Sequence, residues 1–386
     1  MAKYSNNASG GSTDRKRSKN QRIKILIFMV EIIIILVMLL VVWKVFQTTE
    51  STEGPNMVEI KESDIVVNPE VKESLERVPT TEGEKEPAMK GYKNIALFGL
   101  DAEHGVNLVK KTRSDSIMIA SVNMDTGDIK LVSVYRDTYL NKGNDKYGKC
   151  NAAYATGGAE QAINMLNMNL DLAITDFVSV SYHAVKECVD GLGGVWIDVD
   201  SAELKHINNY QLSIIKETAN DKETAIPKSE YIEVKDTGYQ LLNGLQATAY
   251  CRIRYTKGDD YKRTERQREV LKAMEEQVKQ ADLKTLEKLA TKVLKYVYTS
   301  LDEADILELL KNVSKYSIVA EDGFPKEDMR TSDTINGASC VIPLDLEKNV
   351  VWLHEFLFDE ADYQVSSSVK EYSKKIKSDT DKYINN

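Results

Sequence analysis

Apolar and polar positions along the chain fall into distinct regimes. From Ile25 to Trp43 nineteen consecutive residues, ILIFMVEIIIILVMLLVVW, hold a single ionisable side chain, Glu31. At 1.5 Å per residue such a helix spans roughly 28 Å, about the hydrocarbon thickness of a bilayer. The run predicts one transmembrane helix, within residues 25–46. It is too long for the apolar part of a cleaved signal peptide and too uniformly apolar for an ordinary core helix. From 47 to 90 no apolar period is sustained, and Glu, Thr, Ser and Pro dominate. That composition predicts a tether in which only Val71 to Val78 has the spacing of a short helix. Residues 363–386 turn polar again and are expected to fray.

Between the tails, residues 91–362 alternate between two periods. NIALFGL (Asn94 to Leu100), SIMIASV (Ser116 to Val122) and IKLVSV (Ile129 to Val134) are short Ile- and Val-rich runs bounded by polar residues, as buried strands are. Ala159 to Leu170 and Tyr182 to Gly194 have helical spacing, with strands expected at Phe177 to Ser181 and Val195 to Val199. Beyond Asp260 the pattern is helical through Ser314, then broken by Gly-Phe-Pro at 323 to 325. A strand at Ser339 to Ile342 and a helix at Leu346 to Phe358 close the domain. Strands interleaved with helices predict an α/β fold, a layered α/β/α sandwich around a mostly buried mixed central sheet, preceded by the transmembrane helix.

Charge sharpens this picture. The formal net charge is −9, but residues 1–24 carry seven Lys and Arg against one Asp, a net +6, which leaves −15 for the remainder. Basic residues before a membrane helix place that end in the cytoplasm and the large domain outside, and they also suit anionic lipid heads. An acidic body of this size argues against nucleic acid as a partner, since phosphate neutralisation needs a net-positive surface. Cys150, Cys188, Cys251 and Cys340 match no zinc spacing and read as buried small side chains, although one bridge is open to the compartment. The four histidines show no paired metal-binding spacing.

Candidate chemistry gathers where strands end. Asp101 follows the first strand, Arg113-Ser114-Asp115 precedes the second, and Tyr135-Arg136-Asp137-Thr138 follows the third. In open α/β sheets, ligands bind beyond strand ends, so these residues can share one crevice. A second segment, CRIRYTKGDDYKRTERQREV, places Arg252 and Arg254 two apart and Arg263 and Gln267 four apart, on one helix face. Several arginines with a few carboxylates fit a phosphorylated ligand held by guanidinium forks and Mg²⁺ held by Asp101 and Asp115. Ordinary salt bridging on a solvated surface is the competing reading of the same charges.

The ordered blocks NIALFGLD, RSDSIMIASVN, IKLVSVYRDTYL, KCNAAYATGG, VDGLGGVWIDV, LNGLQATAYCRIRY and DDYKRTERQR resemble the catalytic domain of the LytR-CpsA-Psr family from about Tyr92 to Leu271. A weaker likeness continues through WLHEFLF. The family consists of cell-envelope phosphotransferases, chiefly of Gram-positive bacteria. They move an anionic glycopolymer, a teichoic acid or capsular polysaccharide, from polyprenyl pyrophosphate to a peptidoglycan sugar hydroxyl. The resemblance implies Mg²⁺ at Asp101 and Asp115, and pyrophosphate binding by Arg113, Arg136, Arg252, Arg254 and Arg263. Gln267 and Lys149 match a polar and a basic family position, and Asp260 a further acidic one. Two positions depart from the common pattern: Tyr135 stands where many members have Pro, and Glu103 where many have Arg. Between Ser201 and Ile232 the likeness lapses.

The chemistry so implied is attack by a sugar hydroxyl on phosphorus, with polyprenyl phosphate leaving. It needs charge neutralisation and positioning more than a covalent nucleophile, so no catalytic Cys or His is expected. Asp115 and Asp260 are candidates for the hydroxyl proton; a metal ligand is a weak base, which favours Asp260. An apolar groove for the isoprenoid is implied beside the phosphates. IALFGL and the helix around Ile163 and Met165 are candidates to line it, although ordinary core packing suits them better. Two alternatives remain: a pyrophosphatase releasing the glycan to water, and a non-enzymatic membrane regulator of the transcriptional-attenuator type.

Overall fold

The computed structural model describes residues 56–384 apart from 79–85, 101–108, 110–111, 220–224, 255–258 and short stretches between 282 and 316. The basic end, the apolar run at 25–43 and Asp101 lie outside the described residues. Among the described residues no helix is long and apolar enough to cross a membrane.

A two-residue strand, β1 (Asn56–Met57), and a short helix, α1 (Pro69–Glu76), come first; the proline of α1 sits in the first turn, where its missing N–H is not needed. The apolar runs then form β2 (Tyr92–Leu100), β3 (Ser114–Asn123) and β4 (Asp128–Val134), followed by a small hairpin of β5 (Tyr139–Asn141) and β6 (Tyr147–Lys149). Helix α2 (Ala152–Leu170) starts before the expected Ala159 and bends at Gly157 and Gly158, where Gly158 takes φ 72°. Next are β7 (Asp176–Ser181), α3 (Tyr182–Gly191), β8 (Val195–Val199), α4 (Ser201–Thr218), β9 (Gly238–Leu242), α5 (Gly244–Cys251) and α6 (Asp259–Gln280). Capping boxes, Asp200 with Glu203 and Asn243 with Gln246, start α4 and α5 by satisfying first-turn N–H groups. The chain ends with β10 (Val297–Thr299), β11 (Ser317–Phe324), β12 (Arg330–Ile335), β13 (Ala338–Pro343), α7 (Leu346–Phe358) and α8 (Ser367–Ile384).

The main sheet has the order β1-β10-β7-β2-β3-β4-β11 and is mixed. Strand β3 runs antiparallel to both β2 and β4, while β2–β7 and β4–β11 are parallel pairs. Because side chains alternate along each strand, the sheet separates two cores. Ile95, Ala120, Val122, Leu131 and Val178 pack under α3, α4, α5 and α6 on one side. Ala96, Phe98, Ile117, Ile119 and Val132 pack under α2, α7 and α8 on the other. The expected three-layer α/β architecture is therefore present. All four cysteines are free and buried, as expected of small apolar side chains, and burial pushes the Cys188 and Cys251 thiols up to about 12.

Both flanks of the domain differ from expectation. The segment expected to fray after residue 363 is α8, a packed helix with Val369, Ser373, Ile376 and Thr380 buried along one face. The tether contributes β1, which pairs with β10, and α1, whose Val71 is buried in the second core. One polar node joins the pieces: the Asp171 carboxylate accepts from Asn68 Nδ2 at 2.6 Å and from the Ser366 N–H at 2.8 Å. Beside it, buried His354 stacks on Tyr363 at 3.5 Å, and burial lowers its pKa to about 4, so the ring is neutral. Truncation after Gln364 is expected to cost roughly 3 kcal/mol or more, because Val369 and Ile376 each bury side chains worth about 1.5–3 kcal/mol. Urea unfolding of the full and truncated chains measures this, and equal midpoints would contradict it.

Candidate active site

The pairing senses bring the C-terminal ends of β7, β2, β4 and β11 and the N-terminal end of β3 to one edge of the sheet. At that edge β2 and β3 lose register. Gly99 pairs with Ser116 and Leu100 with Ser114, which leaves Asp115 as the extra residue of a bulge. A bulge turns its side chain out of the regular alternation, and here it presents a carboxylate at the sheet end. The strands approach closely at this point. A Cβ on Gly99 would lie 2.9 Å from that of Ser116, so glycine is the residue that fits.

Three guanidiniums meet Asp115. Arg136, just beyond β4, donates from Nη1 to Oδ1 at 2.7 Å; Arg254, after α5, donates from Nη2 to Oδ2 at 3.0 Å. Arg263, on the first turns of α6, stands with Nη1 3.6 Å from Oδ2 and donates from Nη2 to the Asp115 carbonyl. Arg263 is only 1% exposed, whereas the Arg254 side chain is 36% exposed and faces solvent. One carboxylate against three cations leaves the cluster at +2 within an acidic protein. Burial alone would raise the Asp115 pKa, but the charges of Arg263, Arg136 and Arg254 outweigh it and hold the carboxyl below its usual range.

The remaining sequence-predicted residues divide. Lys149 lies beside this cluster, with Nζ 3.2 Å from Asp137, which in turn is 3.8 Å from Arg136. Gln267, one turn along α6 from Arg263, points its amide towards the Cys251 carbonyl at 3.5 Å. Arg113 is exposed at the start of β3. Arg252 does not share an extended face with Arg254: it pairs with Glu217 of α4 at 2.7 Å, and its guanidinium lies 5.7 Å from the centre of the Tyr182 ring. The physical reason is that α5 ends at Cys251, so Arg252 and Arg254 leave a helical turn rather than an extended strand. Arg266 makes a buried pair with Glu203 at 2.7 Å and belongs to the packing of α6 on α4. Asp101, Glu103 and the Asp260 side chain lie outside the described residues.

An apolar cavity of about 140 Å³ opens beside the cluster, between the β2, β3 and β7 ends and helices α3 and α6. Leu97, Leu100, Met118, Val185, Val270 and Met274 are among its walls, and Gln267 and Ser116 join it to the arginines. The run IALFGL thus contributes to the lining, as one of the two sequence readings had it. Ile163 and Met165 do not; both are fully buried in the opposite core. Sequence reasoning missed Val270 and Met274, whose spacing of four from each other on α6, three and seven beyond Gln267, marks the same helix face.

A pH dependence follows from the lowered Asp115 pKa. The stabilisation is complete above the ordinary carboxylate value of about 3.9 and is lost as the pH falls from there through the folded-state pKa. Unfolding midpoints measured between pH 6 and pH 2 should drop more steeply for the natural chain than for Asp115→Asn, with the two curves parallel above about pH 5.

The domain thus sets a cationic cluster at the end of a mixed sheet next to an apolar cavity. The LytR-CpsA-Psr family model matches residues 45–354, and the chain belongs to that family. Among curated proteins it is 28% identical over 311 residues to biofilm regulatory protein A of Streptococcus mutans, covering 72% of each chain. It is 32% identical over 187 residues to the polyisoprenyl-teichoic acid–peptidoglycan teichoic acid transferase TagU of Enterococcus faecalis. That match covers 48% of this chain and 53% of the relative, so the chain spans about half the length of that transferase. Among solved structures, TagT bound to LI-WTA superposes with a TM-score of 0.52 at 19% identity, covering 73% of this chain and 95% of that one, a likeness of fold.

Proposed function

We propose that the chain is a membrane-anchored, extracytoplasmic phosphotransferase that moves an anionic glycopolymer, of the teichoic acid or capsular polysaccharide kind, from polyprenyl pyrophosphate to a peptidoglycan sugar hydroxyl. The observation that carries this reading is the +2 cluster of Asp115, Arg136, Arg254 and Arg263 next to an apolar cavity whose walls include Ser116, adjacent to Asp115, and Gln267, one turn from Arg263. Family membership and the name of the TagU relative support it.

In this account the isoprenoid enters the cavity and the pyrophosphate meets the arginines. Arg254, the most exposed of the three, turns from Asp115 to the incoming phosphate. Arg263 stays fixed and holds the Asp115 backbone in place. Arg136 neutralises charge on the phosphate nearer the glycan. The acceptor hydroxyl oxygen attacks the glycan-bearing phosphorus, the bond from that phosphorus to the bridging oxygen breaks, and polyprenyl phosphate departs with the electron pair. Asp115 is a poor proton acceptor because its arginines stabilise the anion. The proton is assigned instead to Asp260, at the start of α6.

Asp115 would offer Mg²⁺ a hard carboxylate oxygen among phosphate-binding groups once Arg254 exchanges that oxygen for phosphate, since both oxygens are held by arginines before then. Asp115 and Asp101 would hold it, and when bound it would supply charge neutralisation on the pyrophosphate.

The test is to incubate the full chain in detergent with Mg²⁺, a polyprenyl-pyrophosphate glycan and peptidoglycan. Covalent glycan–peptidoglycan product with release of polyprenyl phosphate is expected. Glycan released only to water would favour the pyrophosphatase, and no turnover of any such carrier would favour the regulator. Protease added to intact cells should digest the large domain; its protection would overturn the proposed topology.

A further inference from the structure

One strand beyond Arg136, at the β11 end of the same sheet edge, stands a further arginine. Arg330 opens β12, and its guanidinium carbon lies 4.6 Å from the centre of the Tyr135 ring and 4.4 Å from that of Tyr261. The two rings meet edge to face at 4.8 Å and 86°. Arg330 Nη1 donates to the Pro325 carbonyl at 2.8 Å, Tyr261 Oη and Ser332 Oγ share a hydrogen bond at 3.2 Å, and the Tyr135 N–H donates to the Phe324 carbonyl at 3.0 Å. The guanidinium is thus clasped by two aromatic groups and one carbonyl. Unlike Arg136, Arg254 and Arg263, it has no carboxylate of the described residues within ion-pair distance. A half-buried cation held in a fixed orientation by rings, with donors to spare, is preorganised for an anion.

Its place sets which anion. Along the sheet edge the order is the cavity at β7 and β2, Asp115 at β3, Arg136 at β4, and Arg330 beyond β11. At about 4.8 Å per strand, Arg330 lies on the order of 5 Å past Arg136 and 10–15 Å from the cavity, on the opposite side of the arginine cluster. An apolar tail in the cavity and a pyrophosphate on the cluster direct the rest of the ligand towards Arg330. We propose that Arg330, clasped by Tyr135 and Tyr261, is a subsite for a phosphodiester of the glycan chain beyond the pyrophosphate, and so favours phosphate-bearing over neutral glycans. The inference rests on the proposed transfer reaction for its direction, but Arg330 as an anion subsite can be tested without turnover. Tyr135 also gains a role: its ring forms one wall of the clasp.

The test is to titrate the full chain with a short poly(glycerol phosphate) oligomer and, separately, with a neutral oligosaccharide of similar length. Arg330→Gln is expected to weaken binding of the phosphate oligomer about tenfold, the loss of one charge-assisted contact, and to flatten its salt dependence. Arg330→Lys, which keeps the charge but loses the fork, should fall between, and Tyr135→Ala with Tyr261→Ala should approach Arg330→Gln. In the transfer assay the preference for phosphate-bearing over neutral carrier should drop by the same factor. Phosphate-oligomer binding unchanged in Arg330→Gln and in Arg330→Lys would overturn the proposal, as would an equal loss for both ligands. If the oligomer binds through Arg330 but no carrier is turned over, the subsite stands and the transferase reading fails.

Discussion

Arg263→Met is expected to lower kcat/KM for glycan transfer by about three orders of magnitude. The guanidinium it removes is the most buried of the three around Asp115 and fixes both the carboxylate and the carbonyl of that residue. Loss of one preorganised charge-stabilising donor costs about 10²- to 10³-fold, and Arg263 also sets the position of its neighbours, so the upper end applies. Methionine fills comparable space without charge, which limits cavity effects. Breaking a buried ion pair still costs about 3–5 kcal/mol, with the lower end expected because Arg136 and Arg254 continue to compensate Asp115. Steady-state kinetics with urea unfolding on the same samples measures both. A variant within threefold of the natural rate would show that Arg263 serves folding alone.

Asp115→Asn separates positioning from charge. The substitution keeps the shape but raises the cluster from +2 to +3, so electrostatic attraction for pyrophosphate survives while Arg136 and Arg254 are no longer both held by carboxylate oxygens; Arg263 keeps its bond to the carbonyl of residue 115. The expected result is a fall in kcat of about 10²- to 10³-fold with KM changed by less than a few-fold, the signature of an interaction needed in the transition state. A raised KM with unchanged kcat would assign Asp115 to ground-state binding and contradict the account. Repeating the assay over a Mg²⁺ titration adds a second readout: a shift of the half-saturating concentration is expected only if Asp115 is a metal ligand.

Much of the central sheet was legible because β2, β3, β4 and β7 are buried on both faces and read as apolar runs. Strand β11 was not, since Glu321 and Asp322 are exposed on an edge strand, where charges discourage further pairing and erase the apolar period. Helix α8 was missed for a related reason. Its buried stripe is Val369, Ser373, Ile376 and Thr380, spaced four, three and four, but half of it is hydroxyl residues; Thr380 satisfies its own by donating to the Ile376 carbonyl at 2.8 Å. Spacing alone would have revealed it. At the site, Asp115 and Arg136 were anticipated at strand ends, and Arg263 with Gln267 on one helix face. Pairing Arg252 with Arg254 failed because two residues apart share a face only in an extended chain, and Arg252 still belongs to the last turn of α5. The Tyr135–Arg330–Tyr261 clasp joins residues nearly two hundred positions apart, a contact that only the parallel pairing of β4 with β11 brings about.

The most direct test of the central claim is a structure of the full chain with polyprenyl pyrophosphate. Pyrophosphate is expected within hydrogen-bond distance of Arg136, Arg254 and Arg263, with the Arg254–Asp115 contact exchanged for a phosphate contact and the isoprenoid between β2, α3 and α6 in an enlarged cavity. Pyrophosphate bound elsewhere, with Asp115 and its three arginines unchanged, would contradict it.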